Sequence, residues 1–165
     1  MTFKLRRLAP ITAIVGLPLA VTAISVATPP SGQTTTTPVL GTLQRAKHID
    51  TDGIRFRTSG AVQVATFTLT LDPGGVTGWH THPGILIATV QSGTVVRQVG
   101  CRSHTYHPGE VFVEHGDQPT GQVTNPSPTE PAAFSVTQIA PLDIPRRNES
   151  DPPACKGPHG DSDSE

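Results

Sequence analysis

His80 and His82 are separated by a single residue, Thr81, within the stretch GWHTHPG. Successive side chains of a β-strand point to opposite faces, so residues two apart share a face. If this segment is extended and lines a barrel, both imidazoles point into the interior. A convergent imidazole pair is half of a site for Zn, Cu, Fe, Ni or Mn, depending on the other ligands. The spacing therefore predicts a metal half-site.

The groups that would complete this site lie later in the chain. Two imidazoles alone hold a divalent ion weakly, so further ligands are needed. We predict His115 as the third ligand, while Gln118 or Gln122 offers a side-chain carbonyl oxygen. The alternative is a metal-free pocket in which the histidines are hydrogen-bonded interior residues. Catalytic residues stay unknown, because the sequence has no serine nucleophile elbow, no phosphate loop and no carboxylate pair at a convincing spacing. No residue is predicted to bind an organic cofactor.

The elements that must position these residues are strands. Short segments rich in β-branched or alternating apolar residues recur between Gly- and Pro-containing turns, at 62–71, 85–90, 94–99, 110–114 and 133–139. Many short strands with such punctuation are typical of an all-β sandwich or barrel. No sustained helical period follows residue 27. The sequence predicts an all-β fold with a core of mainly Val, Ile and Leu.

Segment 110–114 alternates charged and apolar residues. Glu110 and Glu114 share one face of the predicted strand, and Val111 and Val113 share the other. Charged residues at alternate positions usually mark the solvent side of a sheet. We therefore expect the two glutamates to be exposed and the two valines to be in the core.

The histidine segment resembles the first conserved motif of the cupin superfamily, G-x5-H-x-H-x3-E-x6-G. Gly74, His80, His82 and Gly93 occupy its glycine and histidine positions, and Leu86 stands where the motif has glutamate. The resemblance extends from about residue 53 to 141. It implies a double-stranded β-helix, or jelly-roll barrel, with a metal usually held by three histidines and one glutamate.

The second cupin motif, G-x5-P-x-G-x2-H-x3-N, is matched less well. Gly109 begins it, but the histidine position falls on Thr120 or Gly121, according to the direction of counting. The chain looks most like secreted bacterial cupins with an HTHPG-type first motif. The resemblance implies one divalent ion (Mn, Fe, Ni, Cu or Zn) or none, and a ligand pocket that includes Leu86, Ala88 and Gln122.

Four segments are predicted along the chain. Residues 1–27 have a basic start, an apolar run and the small residues Ser25-Val26-Ala27, which are typical of a secretory signal peptide. Retention of this segment as a membrane anchor is the alternative. Residues 28–45 are rich in Thr and Pro and are expected to form a flexible linker. The barrel is placed at 46–145, followed by an irregular tail at 146–165.

The two cysteines, Cys101 and Cys155, are expected to form a disulfide, because thiol pairs outside the cytoplasm usually oxidise. This bond would attach the tail to the barrel. The alternative is two free thiols that serve as metal ligands, but they lack a CxxC spacing.

The net charge of the chain without its predicted signal peptide limits the classes of molecule that it is expected to bind. Without residues 1–27 the chain has 9 Lys and Arg against 13 Asp and Glu, a net charge of −4. A surface of this charge does not favour nucleic acid or anionic lipid. We expect a secreted protein that binds a metal or a small molecule. A non-catalytic binding role without metal, and a structural role as a homodimer, are the alternatives.

Overall fold

The computed structural model describes residues 28–155, and these contain strands and no helix. The predicted signal peptide at 1–27 lies outside the described residues. The strands are β1 (Ser31–Thr35), β2 (Val39–Leu43), β3 (His48–Thr51), β4 (Ile54–Arg57), β5 (Val62–Val76), β6 (His80–Thr81), β7 (Ile85–Ser92), β8 (Val95–Val99), β9 (Arg102–Tyr106), β10 (Val111–His115), β11 (Gly121–Thr124), β12 (Ala132–Pro141) and β13 (Asn148–Glu149).

Eleven of these strands form one antiparallel sheet that curls into a nearly closed barrel. Its main path runs β10-β7-β12-β5-β11-β6-β13, and β8 joins β11 to β9. Strands β5 and β12 pair over ten residues, from Leu71 opposite Ala132 to Val62 opposite Pro141. This architecture confirms the predicted all-β fold and is consistent with a cupin double-stranded β-helix.

The barrel interior is apolar and contains more aromatic rings than the sequence led us to expect. Phe112 and Phe134 are buried with Leu, Val and Ala side chains, and their ring centroids are 5.7 Å apart. Tyr106 packs against Phe112 at 5.1 Å. Edge-to-face contacts of this kind add to the free energy gained by burying apolar area. The core therefore combines aliphatic residues with a short aromatic stack.

Residues 28–43, which we call the N-terminal arm, differ from the prediction. We expected a flexible linker over 28–45, but β1 and β2 both pair with β5. The physical reason is that β5 would otherwise present an unpaired edge, and backbone pairing needs no buried apolar side chains. Val39 and Leu40 remain largely exposed, so the arm is held by its main chain.

The predicted barrel boundaries at 46–145 also change. Strands β3 and β4 form a separate two-stranded hairpin at 48–57, so that part of the range is outside the barrel sheet. At the other end, β13 pairs with β6 and adds residues from the predicted tail. The barrel sheet therefore includes both the N-terminal arm and a short piece of the tail.

Residues 146–155, which we call the C-terminal strap, are mostly irregular, and the rest of the predicted tail lies outside the described residues. Cys155 forms a disulfide with Cys101, which confirms the expected pairing. Ser150 donates its backbone N–H to the carbonyl of Trp79 at 3.0 Å, and its hydroxyl bonds with that of Thr120. These contacts fix the strap beside the strand that carries the histidines.

Within residues 28–155 there is no helix of the length and apolarity that a bilayer crossing requires.

Candidate metal centre

His80 and His82 both point into the barrel, as their spacing predicted. His80 lies on β6 and His82 directly follows it, with exposed fractions of 6% and 8%. Their ring centroids are 4.7 Å apart and the rings are nearly perpendicular. The strand parity that placed the two imidazoles on one interior face is therefore confirmed.

Backbone carbonyls fix the orientation of both imidazoles. His80 donates its Nδ1–H to the carbonyl of Gly78 at 2.8 Å, and His82 donates its Nδ1–H to the carbonyl of Arg146 at 2.7 Å. A carbonyl oxygen only accepts hydrogen bonds, so the proton of each neutral ring is on Nδ1. Each Nε2 therefore carries a lone pair. Metal-binding histidines are commonly oriented in this way by an acceptor on their other nitrogen.

Burial keeps both rings neutral. Desolvation, followed by the positive charge of Arg147, lowers the pKa of His80 from 6.5 to about 4. Desolvation is also the largest cause of the lowered pKa of His82, although Glu114 and the bond to Arg146 oppose it. At neutral pH the two imidazoles are therefore unprotonated on Nε2, which is the form that binds a metal.

The third member of the cluster is Glu114 on β10. Its side chain is 4% exposed, and its Oε2 lies 3.5 Å from Nε2 of His82. Donor atoms of His80, His82 and Glu114 all lie within 4.8 Å of one another. In register, Glu114 is directly opposite Leu86 on β7. A carboxylate thus lies one strand away from the position where the cupin motif has its glutamate.

Arg97 holds this carboxylate in place. Its Nε donates to Oε1 of Glu114 at 3.1 Å, and its Nη2 donates to the side-chain oxygen of Gln118 at 2.9 Å. The guanidinium also lies over the ring of Phe112, 5.4 Å from the centroid. A buried carboxylate is costly without such a partner. Because Arg97 binds Oε1, Oε2 is left facing the histidines.

Our prediction of which face of strand β10 is buried was wrong. Val111 and Val113 are about half exposed, whereas Phe112 and Glu114 are buried. The large aromatic side chain of Phe112 was the signal for the inward face, and Glu114 shares its parity. Arg97, on a separate strand, makes the buried charge tolerable. Glu110 lies just before the strand and is exposed, as expected.

The predicted third ligand, His115, is not part of the cluster. It follows Glu114 on β10 and points to the exposed face, opposite Ile85. The reason is the same parity error, because alternate residues of a strand occupy opposite faces. Glu114 takes the place that we had assigned to His115.

Of the two candidate positions for the histidine of the second cupin motif, Gly121 is the one beside the cluster. Gly121 on β11 lies directly opposite His80 and faces inward, but it has no side chain. Val123, two residues on, lines the cavity. Gln122 has the opposite parity and does not line the cavity, so its predicted place in the pocket is wrong. The side chain of Gln118 accepts a hydrogen bond from Arg97. No fourth side-chain ligand from β11 joins the three donors.

A cavity of about 220 Å³ adjoins the three donors. Its walls are mainly apolar, with Leu86 among them as predicted, whereas Ala88 is packed in the core behind. The N-terminal arm contributes Gln33 and Thr35, and the C-terminal strap contributes Arg146 and Arg147. Both chain segments that we expected to be irregular therefore help to enclose the site.

The donor set fits a divalent metal ion. Two neutral imidazole lone pairs and a carboxylate oxygen face one another, and three mutually repelling acceptors are best satisfied by a cation between them. Ligand atoms around a tetrahedral ion with bonds of ~2.1 Å are about 3.4 Å apart, so the cluster needs only a modest contraction. His80, His82 and Glu114 are therefore a group that could hold a metal ion.

The comparison with protein families agrees with the motif. The model of the cupin domain family matches residues 67–137. No curated protein matches the chain. Solved structures with a similar fold include a conserved protein of unknown function from Streptococcus pyogenes, with 15% identity, 64% of this chain and 75% of that chain covered, and a TM-score of 0.43.

Two further structures are similar at the same level. A protein with a double-stranded β-helix domain from Klebsiella pneumoniae is 21% identical, with 53% of this chain and 70% of that chain covered and a TM-score of 0.46. A cupin 2 conserved barrel protein from Salinispora arenicola is 19% identical, with 48% and 64% covered and a TM-score of 0.43. The family match over residues 67–137, the HxH motif and the antiparallel barrel together support membership of the cupin superfamily.

Proposed function

We propose that this chain is a secreted cupin that binds one divalent metal ion through His80, His82 and Glu114 and presents it to a small ligand in the barrel. The observation that carries the proposal is the orientation of the donors. Both Nδ1–H groups are bonded to backbone carbonyls, so both Nε2 lone pairs are directed at the cluster with Glu114. Such bonds fix the imidazole tautomer that metals bind.

The proposed ligand set is a variation on the family pattern. Leu86 replaces the motif glutamate and Gly121 lies opposite His80, so two of the four usual ligands are absent. Glu114 supplies a carboxylate from the neighbouring strand, directly across from Leu86. Three protein ligands leave coordination positions open to the cavity. A bound divalent ion would supply a Lewis acid there.

Secretion is part of the proposal and rests on two observations. The disulfide Cys101–Cys155 is expected in an oxidising compartment, and residues 1–27 have the sequence pattern of a signal peptide. The negative charge that remains after removal of that segment argues against nucleic acid as a partner. We therefore propose a small molecule as the partner, outside the cytoplasm.

The experiment is a cobalt titration of the full-length chain expressed without a polyhistidine tag. Co²⁺ bound by two imidazoles and a carboxylate should give visible absorption bands at about one ion per chain. Glu114→Gln keeps the size of the side chain but removes its charge, and should weaken binding at least about 10-fold. His115→Gln is the matched control, because His115 is the adjacent residue on the exposed face.

Two results would contradict this assignment. One is less than a tenth of an ion per chain after exposure to Mn²⁺, Fe²⁺, Ni²⁺, Cu²⁺ and Zn²⁺. The other is a loss of binding in His115→Gln that equals the loss in Glu114→Gln.

A metal-free binding protein is the second candidate, and one contact favours it. Glu114 already forms an ion pair with Arg97 at 3.1 Å, so its charge has a partner without any metal. In that case His80 and His82 are neutral hydrogen-bonding groups in the cavity wall. A ligand that raises the melting temperature of the chelator-treated protein, in a chain that binds no cobalt, would support this candidate.

A further inference from the structure

Two buried polar atoms at the cavity are not used by the metal site. Nη1 of Arg146 and Oε1 of Gln33 are shielded from solvent and have no hydrogen-bond partner among residues 28–155. Both residues line the cavity, although they come from opposite ends of the chain. A buried polar atom without a partner costs about 1–3 kcal/mol. Two side chains that line the same cavity therefore each contain one polar atom without a partner.

The charges around the cavity leave Arg146 without a counter-ion. Glu114 is paired with Arg97, and Glu149 is paired with Arg147 at 2.5 Å. Within the described part of the chain, no carboxylate lies within ion-pair distance of Arg146. With His80 and His82 neutral, the cavity has an excess of positive charge. A guanidinium is well suited to a carboxylate, which accepts its N–H groups as charge-assisted hydrogen bonds.

The volume and the apolar lining of the cavity limit the size and polarity of the rest of the ligand. The volume of about 220 Å³ corresponds to roughly seven water molecules at ~30 Å³ each. Most of the lining is apolar, including Phe67, Leu69, Phe134 and Val136. An inorganic anion would leave this surface in contact with water. A short, branched aliphatic group would cover it and gain the free energy of apolar burial.

We propose that the cavity binds a small aliphatic hydroxy acid, with its carboxylate on the guanidinium of Arg146 and its hydroxyl bonded to the side-chain amide of Gln33. The aliphatic part packs against the phenylalanine and valine wall. This inference rests on the proposed function in one respect, since it assigns the class of small ligand for the same cavity. It adds the two polar contacts that would select the ligand.

The side chain and the main chain of Arg146 have separate roles in this arrangement. Its carbonyl accepts the Nδ1–H of His82 and the amide N–H of Gln138 at 2.6 Å. Its side chain is among those that line the cavity. Arg146→Gln therefore removes the proposed carboxylate partner and retains the carbonyl that orients His82. This separation makes the residue suitable for a test that does not disturb the metal donors directly.

The test uses three probes of similar shape, titrated calorimetrically into full-length protein at neutral pH with and without Co²⁺. The probes are 2-hydroxy-3-methylbutanoate, its neutral amide, and 3-methylbutanoate, which lacks the hydroxyl. We expect the hydroxy acid to bind at least about 10-fold more tightly than the amide. We also expect it to bind about 5-fold more tightly than the acid without a hydroxyl.

Variants then assign these preferences to residues. Arg146→Gln should abolish the preference for acid over amide, and Gln33→Leu should abolish the preference for the hydroxyl. Arg57→Gln is the matched control, because Arg57 is exposed on the separate hairpin. It should bind all three probes like the unaltered protein. Cobalt absorption and the melting temperature of each variant show that the site and the fold are intact.

The inference is overturned if the amide binds as tightly as the acid, or if Arg146→Gln binds the acid like the unaltered protein. The proposed metal-binding function is tested separately, and it is contradicted if the protein shows no cobalt absorption bands. A chain that binds no cobalt but prefers the acid through Arg146 would retain this inference in a metal-free cavity. A chain with a normal cobalt spectrum and no preference for the acid would retain only the proposed metal site.

Discussion

The N-terminal arm and the C-terminal strap both reach the cavity, but they are attached to the barrel in different ways. The N-terminal arm pairs with β5 along two strands of five residues each and has no covalent link. The C-terminal strap has a two-residue strand, one disulfide and a few side-chain bonds. A backbone ladder joins the arm to the cooperative unit of the barrel, whereas the strap depends on a small number of separate contacts.

The difference indicates how a polar segment becomes ordered. Neither segment has the alternating apolar pattern that marks a half-buried strand. The N-terminal arm is ordered because a long strand leaves an edge free beside it, and the C-terminal strap because a cross-link holds its end. The first mechanism contributes to global stability, and the second mainly to the position of a few residues. The following experiments test this distinction.

The largest effect is expected from removal of the N-terminal arm. Deletion of residues 1–43 exposes one edge of β5 and opens the cavity. We expect the free energy of unfolding to fall by at least about 5 kcal/mol, which is as much as many domains have. Chemical denaturation followed by circular dichroism measures it. Deletion of residues 146–165 is the comparison, and a larger loss there would reverse our assignment of the two segments.

The disulfide is the next most important feature. For Cys101→Ser/Cys155→Ser, the chain-entropy model gives a loss of roughly 4 kcal/mol for a loop of 54 residues. We expect a smaller loss, because the freed C-terminal strap also gains entropy in the folded state. Hydrogen exchange should become faster at Ser150, whose N–H bonds to Trp79. Equal acceleration in β5 and β12 would show that the strap belongs to the global unit.

The pH dependence of stability tests whether the C-terminal strap acts on His80. The pKa of His80 is lowered to about 4 in the folded protein, by burial and then by Arg147 of the C-terminal strap. Between about pH 6.5 and 4 the unfolded chain binds a proton that the folded one does not. The free energy of unfolding should therefore be highest above pH 6.5 and fall by up to roughly 3 kcal/mol as the pH is lowered towards 4.

Urea denaturation of chelator-treated protein at several pH values measures this dependence. His80→Asn should make the decline smaller, and His82, whose pKa is also lowered, should account for part of what remains. Arg147→Gln should make the decline smaller and end it at a slightly higher pH, because it removes the second cause of the lowered pKa. An unchanged profile in His80→Asn would mean that other groups are responsible.

The smallest effect is expected at Gln138, which connects β12 to the C-terminal strap. Its side-chain amide donates to the carbonyl of Arg146, the acceptor that also orients His82. Gln138→Leu should lower stability by about 1 kcal/mol, the usual net value of such a bond. It should also weaken cobalt binding several-fold. Gln122→Leu, outside the cavity, should leave cobalt binding unchanged.

The sequence predicted those features that local patterns encode. Alternating apolar residues predicted the strands that became β5, β10 and β12, and short apolar runs predicted β7 and β8. The HxH spacing placed two imidazoles on one face, and the two cysteines predicted the disulfide. Each of these inferences needs only neighbouring residues or a simple count.

Features that depend on distant partners were not predicted. The two strands of the N-terminal arm exist because β5 has a free edge, which no local pattern shows. Glu114 was assigned to the solvent because charged residues at alternate strand positions usually mark the exposed face. Its partner Arg97 is 17 residues away and gave no local signal. The wrong choice of His115 followed from that single parity error. The orienting contact from Arg146 to His82 spans 64 residues and was also missed.

If the site binds a metal as proposed, the long reach of that last contact implies an order of events during maturation. The acceptor that aligns the second imidazole is brought in by a segment that the cysteine cross-link secures. A newly made chain with reduced thiols would hold its donors in place less firmly. Oxidation would therefore precede full metal loading, and a compartment that prevents the cross-link would also delay completion of the site.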